Sequence, residues 1–476
     1  CFCCENPRMT LISYFNFRRF ILIAILGFLP ISVIAQSPQP DSIAARSAAD
    51  SLTQSLNYKE IRGIERAATP AFYTPRKVLH AIFWLPRFTI DAMLRSTAFS
   101  AVFIDEKRIF KKFEDFFYLY EDKLAWFPVL NIVSGSPRGL GVNLTYHSHY
   151  FTSQAKGVYN NNDIWGLKGA LSYIFFRHNY FWQFDVETRL ETDDNFRFYG
   201  IGPDPQNDPR SYFLPDTDAE RGIYAQRRLH LHANIGVRTS SNLEYFYSIF
   251  YQKRTVRNPA GTAADNFSKV FDTDSLPGSF FKSKKIYNEL SFRFDNRESL
   301  KIIEPGARIE GYGGLAFGLK NDKDRLFRAG LDAMVFLPVF RQNRLLVPRI
   351  VFDMVENLND RNDIAFVEYP RHQEFRGTSS KSLLRSDKYK MTASLEYQWP
   401  LAYYLNGHLF YDYLTVAPKP GEFFTGKPPW AAGFGIDFHT AYSEVARLFF
   451  SYGSEGLFFK LDVGLSSLNK DRSDWK

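Results

Sequence analysis

Four histidines stand in pairs one residue apart, His147 with His149 and His230 with His232. On an extended strand each pair would share a face, which is the spacing of strand-borne metal ligands. On a wet face the same residues serve as plain polar lining, and that is the reading adopted for both pairs. No Gly-x-Ser-x-Gly elbow, HExxH helix or phosphate-binding loop occurs. The chain is therefore read as a non-enzyme with no cofactor, no metal and no catalytic residue. "GYGGLAF" (311–317) contains Gly-x-Gly but lies in an expected strand with no helix after it, so close packing or a bend explains it better. A third chemistry is charge recognition. "EFRGTSS" (374–380) sets Arg376 beside Gly377 in a polar stretch running from about Leu358 to Ser386. A guanidinium can grip a carboxylate through two parallel bonds, and a glycine lets the backbone turn sharply or lie close to a wall.

The elements flanking that stretch alternate with period two. In "YKMTASLEYQW", Met391, Ala393, Leu395, Tyr397 and Trp399 fall on one face and Lys390, Thr392, Ser394, Glu396 and Gln398 on the other. "YFWQFDVETRLE" sets Trp182, Phe184, Val186 and Leu190 against Gln183, Asp185, Glu187 and Arg189. "YNELSFRFDNR" sets Leu290, Phe292 and Phe294 against Glu289, Ser291, Arg293 and Asp295. A face bearing Glu, Arg, Asp and His cannot be the dry core of a sandwich, because a buried unpaired charge costs several kcal/mol. A watery lumen accommodates it. Backbone groups facing lipid must all be paired, which a closed barrel achieves and an open sheet does not. The fold expected is all-β, a transmembrane antiparallel β-barrel over residues 127–468. Even strand numbers leave 14 or 16, and 16 is adopted. Long polar loops at 202–221 and 256–282, against the short "PLAYYLNG", fit the two ends of such a barrel.

Composition agrees: aromatic residues make up 17% of 476, with 47 Phe and 27 Tyr, while mean hydropathy is only −0.28. "FRRFILIAILGFLPISVIA" reads as a signal peptide ending at Ala35, so residues 1–35 are expected to be removed, with Met9 as the start. The mature chain would then have no cysteine, hence no disulfide and no thiolate site. A mild basic excess, spread along the chain, argues weakly for nucleic acid and equally for an anionic membrane surface; no nucleic-acid partner is expected. Residues 36–126 are expected to form a periplasmic tail with amphipathic helices at 75–95 and 106–123. Ile109, Phe110, Phe113 and Phe117 line one side of the second, which would either lie on the membrane or pack against the barrel rim.

Five segments in order resemble the BamA/TamA outer-membrane assembly superfamily, also called the bacterial surface antigen family. "FDNRESLKIIEPGARIEG" carries the turn signature Asp295, Arg297, Pro305 and Gly306. Phe375, Arg376 and Gly377 match the signature of a loop that folds back into the lumen. "GHLFYDYLT" supplies Gly407, Phe410 and Asp412; "SLEYQWPL" resembles the family's strand ending in an acidic residue, aromatics and Pro-Leu, and "ARLFFSYG" and "GLFFKLDVGLS" resemble its last two strands. The resemblance implies that Arg376 faces Asp412 and that five strands follow the loop. It departs from the pattern at Thr378, where an aromatic is usual, and at Leu414, where a glycine is. "NKDRSDWK" (469–476) extends past the last strand, and residues 36–126 are too short and too helical for a string of POTRA domains. The resemblance implies a monomeric, POTRA-less barrel in the bacterial outer membrane, in contact with its lipid and with unfolded outer-membrane proteins or periplasmic factors. Its role would be protein insertion, or polypeptide or lipid translocation. A passive transport pore is the alternative.

Overall fold

The period-two segments are strands in the computed structural model, and each pairs with its neighbour in the chain. Residues 117–463 are described, except 121–122, 132–136, 138, 162, 179, 260–264, 281, 298–304, 320–324, 340, 360–363, 371–374, 379–381, 403–404, 425–427 and 440–443. The expected signal peptide (1–35), nearly all of the 36–126 segment, and residues 469–476 lie outside the described residues. So do Ile109, Phe110 and Phe113.

A short β1 (Tyr118–Tyr120) precedes β2 (Leu124–Asn131), β3 (Gly139–His147), β4 (Phe151–Asn161), β5 (Ile164–Arg177) and β6 (Tyr180–Phe198). Then come β7 (Gly222–Ser240), β8 (Leu243–Arg257), β9 (Lys282–Asp295), β10 (Gly306–Gly318), β11 (Leu326–Val339) and β12 (Arg341–Asn357). After a two-residue β13 (Ser382–Leu383) follow β14 (Tyr389–Ala402), β15 (Leu405–Ala417), β16 (Trp430–His439), β17 (Glu444–Gly453) and β18 (Gly456–Val463). Setting aside β1 and β13, these are 16 long antiparallel strands, five of them after the 358–388 loop. Two details differ from the sequence reading. The first long strand starts at Leu124 rather than 127. The end of the segment expected to be helical forms β1, which pairs through Tyr118 and Tyr120 with Ala125 and Leu124 of β2. Those two residues also pair with β3, so β1 covers the start of the other edge of β2.

The sheet must curl. Arg385 reaches Glu455 in the β17–β18 turn at 3.2 Å, while the next residue, Ser386, donates to the Gly200 carbonyl just past β6 at 3.1 Å. In a flat sheet β6 and β17 would lie about ten strand spacings, roughly 48 Å, apart. Two consecutive residues cannot bridge that distance, so the strands wrap around the loop as a barrel.

Its outward face carries Leu290, Leu395, Leu409, Tyr411, Phe434 and Phe450, all exposed. Glu289, Thr392, Glu396 and Gln398, assigned from the alternation to the other face, are buried inside. An apolar outside and a polar inside is the arrangement of a transmembrane barrel. Among the described residues no helix is long and apolar enough to cross a membrane. Inward charges are paired across the wall: Arg349 forks onto Asp332 with bonds of 2.8 and 2.7 Å. One end of the barrel holds an apolar core of its own. Ile201, Phe267, Phe271 and Phe366, from three different loops, meet Phe198 and Tyr224 at the strand ends. The Phe198 and Phe366 rings are 4.7 Å apart.

Candidate functional site

The 358–388 loop leaves β12, enters the barrel and returns to β14, anchored where charged side chains meet the wall. The first anchor is Arg376. Its Nε donates to Asp412 Oδ2 at 2.8 Å, its Nη2 to Asp412 Oδ1 at 2.7 Å, and its own backbone N–H to Oδ2 at 3.0 Å. Ser394 Oγ accepts from Nη2 at 2.9 Å, and Glu396 accepts from Nη1. The guanidinium carbon stacks 3.6 Å from the Phe410 ring centroid. Period two explains the convergence. Ser394 and Glu396 are inward on β14, Phe410 and Asp412 are inward on β15, and the β14–β15 register sets Ser394 opposite Asp412 and Glu396 opposite Phe410. Burial works against the Arg376 charge, but Asp412 and Glu396 more than reverse this and hold its pKa above the ordinary value.

The pocket extends one shell outward. Arg447 on β17 donates to Asp437 at 2.6 Å and to Glu396 at 3.2 Å, and Gln398 donates to Glu396 at 2.6 Å. Ser451 donates to the Arg376 carbonyl at 3.0 Å. Phe375 packs with Leu414 and Ala431 in a small buried cluster. Gly377 is needed for space: a Cβ there would lie 2.7 Å from the Phe375 ring and 2.9 Å from Ala431 Cβ.

The structure thus places Phe375, Arg376, Gly377 and Asp412 in one site. It also adds Ser394, Glu396, Arg447 and Asp437, which the sequence reading left as generic lumen lining or unremarked. Their signal was parity: each is an inward position on β14, β16 or β17. At the other end of the barrel, Arg297 forks onto Asp295 at 2.9 and 2.6 Å and lies over the Phe336 ring. Gly306 has a φ of +156°, and a Cβ there would meet Arg297 Cγ at 2.8 Å. Asp295, Arg297 and Gly306 therefore lie together at the facing ends of β9 and β10, with Pro305 exposed beside them.

Glu396, His408 and Asp437 offer ligand atoms within 4.8 Å of one another and could in principle hold a metal ion. Their carboxylates are already gripped by Arg376 and Arg447, so a cation would enter beside two guanidiniums, and charge pairing is the better description. His149 lies past the end of β3, so it shares no strand face with His147, whereas the second pair serves as rings. His230 and His232 lie parallel, 6.3 Å apart, and His232 stacks on Phe250 at 4.2 Å.

The loop has two further anchors. Glu368 is held by Arg254 at 2.9 Å, by Lys285 and by Arg328. Burial pushes this carboxyl up, but Lys285, Arg254 and Arg328 more than reverse that and leave it below the usual carboxylate range. Asp387 takes a forked contact from Arg210, at 3.1 and 2.8 Å, and Asp208 holds the other side of the same guanidinium. Between Arg376 and Asp387, β13 pairs in parallel with the end of β6, Ser382 to Arg197 and Leu383 to Phe198.

The sequence matches no family profile and no curated protein. Solved structures similar to this one include BamA from Haemophilus ducreyi lacking POTRA domains 1–3, at 12% identity and a TM-score of 0.46, over 71% of this chain and 68% of that one. CdiB from Acinetobacter baumannii is similar at 9% identity and a TM-score of 0.41, over 69% of this chain and 57% of that one. CdiB from Escherichia coli is similar at 10% identity and a TM-score of 0.40, over 72% and 60% respectively.

Proposed function

We propose that this chain is a POTRA-less outer-membrane barrel of the BamA/TamA type, acting in insertion of proteins into the outer membrane or in translocation of polypeptide or lipid. The observation that carries the proposal is the Arg376–Asp412 contact: a loop carried into the lumen whose arginine is gripped by a carboxylate of the inner wall, with five strands after it. In this reading Phe375, Arg376, Gly377 and Asp412 lock the loop, and the Asp295–Arg297 turn with Pro305 and Gly306 shapes the opposite rim. The barrel works as a monomer in contact with outer-membrane lipid, without nucleic acid and without catalytic chemistry. Unfolded outer-membrane proteins or periplasmic factors are its partners.

The active element proposed is the seam between β2 and β18. β2 carries Pro128, which has no amide hydrogen to give. A missing donor weakens the pairing in which it falls, as a seam that parts under load requires.

Depletion of the protein in its native cell, followed by an inventory of outer-membrane proteins and lipids, tests the proposal. A defined subset should disappear while the rest stays constant; an unchanged inventory overturns it. The passive-pore alternative predicts large, steady, ohmic conductance in planar bilayers that Arg376→Ala leaves unaltered.

A further inference from the structure

Three wall cations converge on the Glu368 carboxylate from three strands: Arg254 on β8, Lys285 on β9 and Arg328 on β11. Two of them also donate to loop carbonyls, Arg254 to Val367 and Arg328 to Glu368 itself, both at 2.8 Å. The strand between them keeps the space open. On its inward face β10 sets Gly318 opposite Lys285 and Gly314 opposite Arg328, with only the Ala316 methyl between. A Cβ at Gly314 would lie 2.6 Å from the Tyr287 ring, so no larger side chain fits there. The cations belong to the rigid wall and the anion to the loop. Glu368 sits in a three-residue 3-10 turn, Phe366–Glu368, held by these contacts, by its packing on the strand ends and by a Phe366 N–H bond to the Pro277 carbonyl at 3.0 Å. Wall and loop thus stand to each other as a preformed receptor and its ligand.

We propose that Arg254, Lys285 and Arg328 form a carboxylate-binding recess in the barrel wall, with Glu368 as its tethered occupant. The ligand class is a carboxylate on a slender stem. A group of that kind competes with the loop for the recess, and its binding displaces Glu368 from the wall. The recess lies on β8–β11, away from Asp412 on β15, and its existence does not depend on which cargo the barrel handles.

Chemical rescue of the full-length, detergent-folded protein tests this. The Glu368→Ala variant removes the occupant and leaves the cations; Glu368→Gln removes the charge but keeps the volume. Each is heated in sodium acetate or in sodium chloride at equal ionic strength, and the midpoint of heat-modifiable gel mobility is read. Acetate should raise the midpoint of Glu368→Ala saturably, as a bound ligand does, and well beyond chloride. It should not raise the midpoint of the wild type or of Glu368→Gln, whose own side chains fill the recess, and adding Lys285→Met and Arg254→Met should abolish the response. Equal effects of acetate and chloride would reduce the recess to general screening and overturn the proposal, as would stabilisation of the wild type by acetate equal to that of Glu368→Ala. Should Glu368→Ala refold poorly, refolding yield in acetate against chloride is the same readout, and failure to refold in both also overturns it.

Discussion

Arg376 touches Asp412 with three separate N–H groups, one from its backbone and two from its guanidinium, while its charged plane lies on Phe410. Side chain and main chain are fixed by the same carboxylate, so Asp412 sets the depth of the loop as well as its charge. Arg376→Lys should therefore fail to restore the wild-type midpoint, since an ammonium has neither the fork nor the plane.

Arg376→Ala and Asp412→Ala should be non-additive. Removing either partner leaves the other charge buried, a loss of about 3–5 kcal/mol, whereas removing both leaves no orphaned member of the pair. The double-mutant cycle is read in heat-modifiable gel mobility, and additive losses would count against coupling.

Gly377→Ala should destabilise the loop by about 1–3 kcal/mol through overpacking against Phe375 and Ala431. Pairing it with Phe375→Leu should recover part of the loss, which thermal midpoints of the two variants would reveal.

The Glu368 anchor should weaken in acid. Its carboxyl has a lower pKa folded than unfolded, so its stabilisation is complete above the unfolded value of about 4.3 and is lost as pH falls through the lower, folded value. The midpoint difference between wild type and Glu368→Gln should be smaller below about pH 4 than at about pH 5. A difference that grows on acidification would contradict this.

Phe366→Ala should open the long-loop end. The ring packs on Phe198, Tyr224 and Phe267, so its loss costs about 3–5 kcal/mol of local packing. Single-channel recordings should show more frequent openings than wild type.

The wall was legible in the sequence because period two is a local signal. "YKMTASLEYQW" alone sorts Glu396 inward and Leu395 outward, as the strand does. The Arg376–Asp412 contact was reachable only through resemblance, as nothing local links residues 36 apart. Glu368 had no signal at all. Its partners lie 114, 83 and 40 residues away, on strands where Arg254, Lys285 and Arg328 read as ordinary lumen charges. The aromatic core between loops was also hidden. Phe267, Phe271 and Phe366 sit in stretches rich in polar and turn-forming residues, and their apolar surroundings arise only when three loops meet.

Glu368, Arg376 and Asp387 are three grips on one length of chain, spaced eight and eleven residues apart. Rupture of any single grip leaves the freed side chain tethered next to its site, where its effective concentration is in the millimolar range or above. Rebinding then competes with the next rupture, so the occupied lumen outlasts any one contact by a wide margin. A ligand that clears the barrel has to prevent recapture at several points in turn, which makes emptying the lumen an avidity problem more than an affinity one.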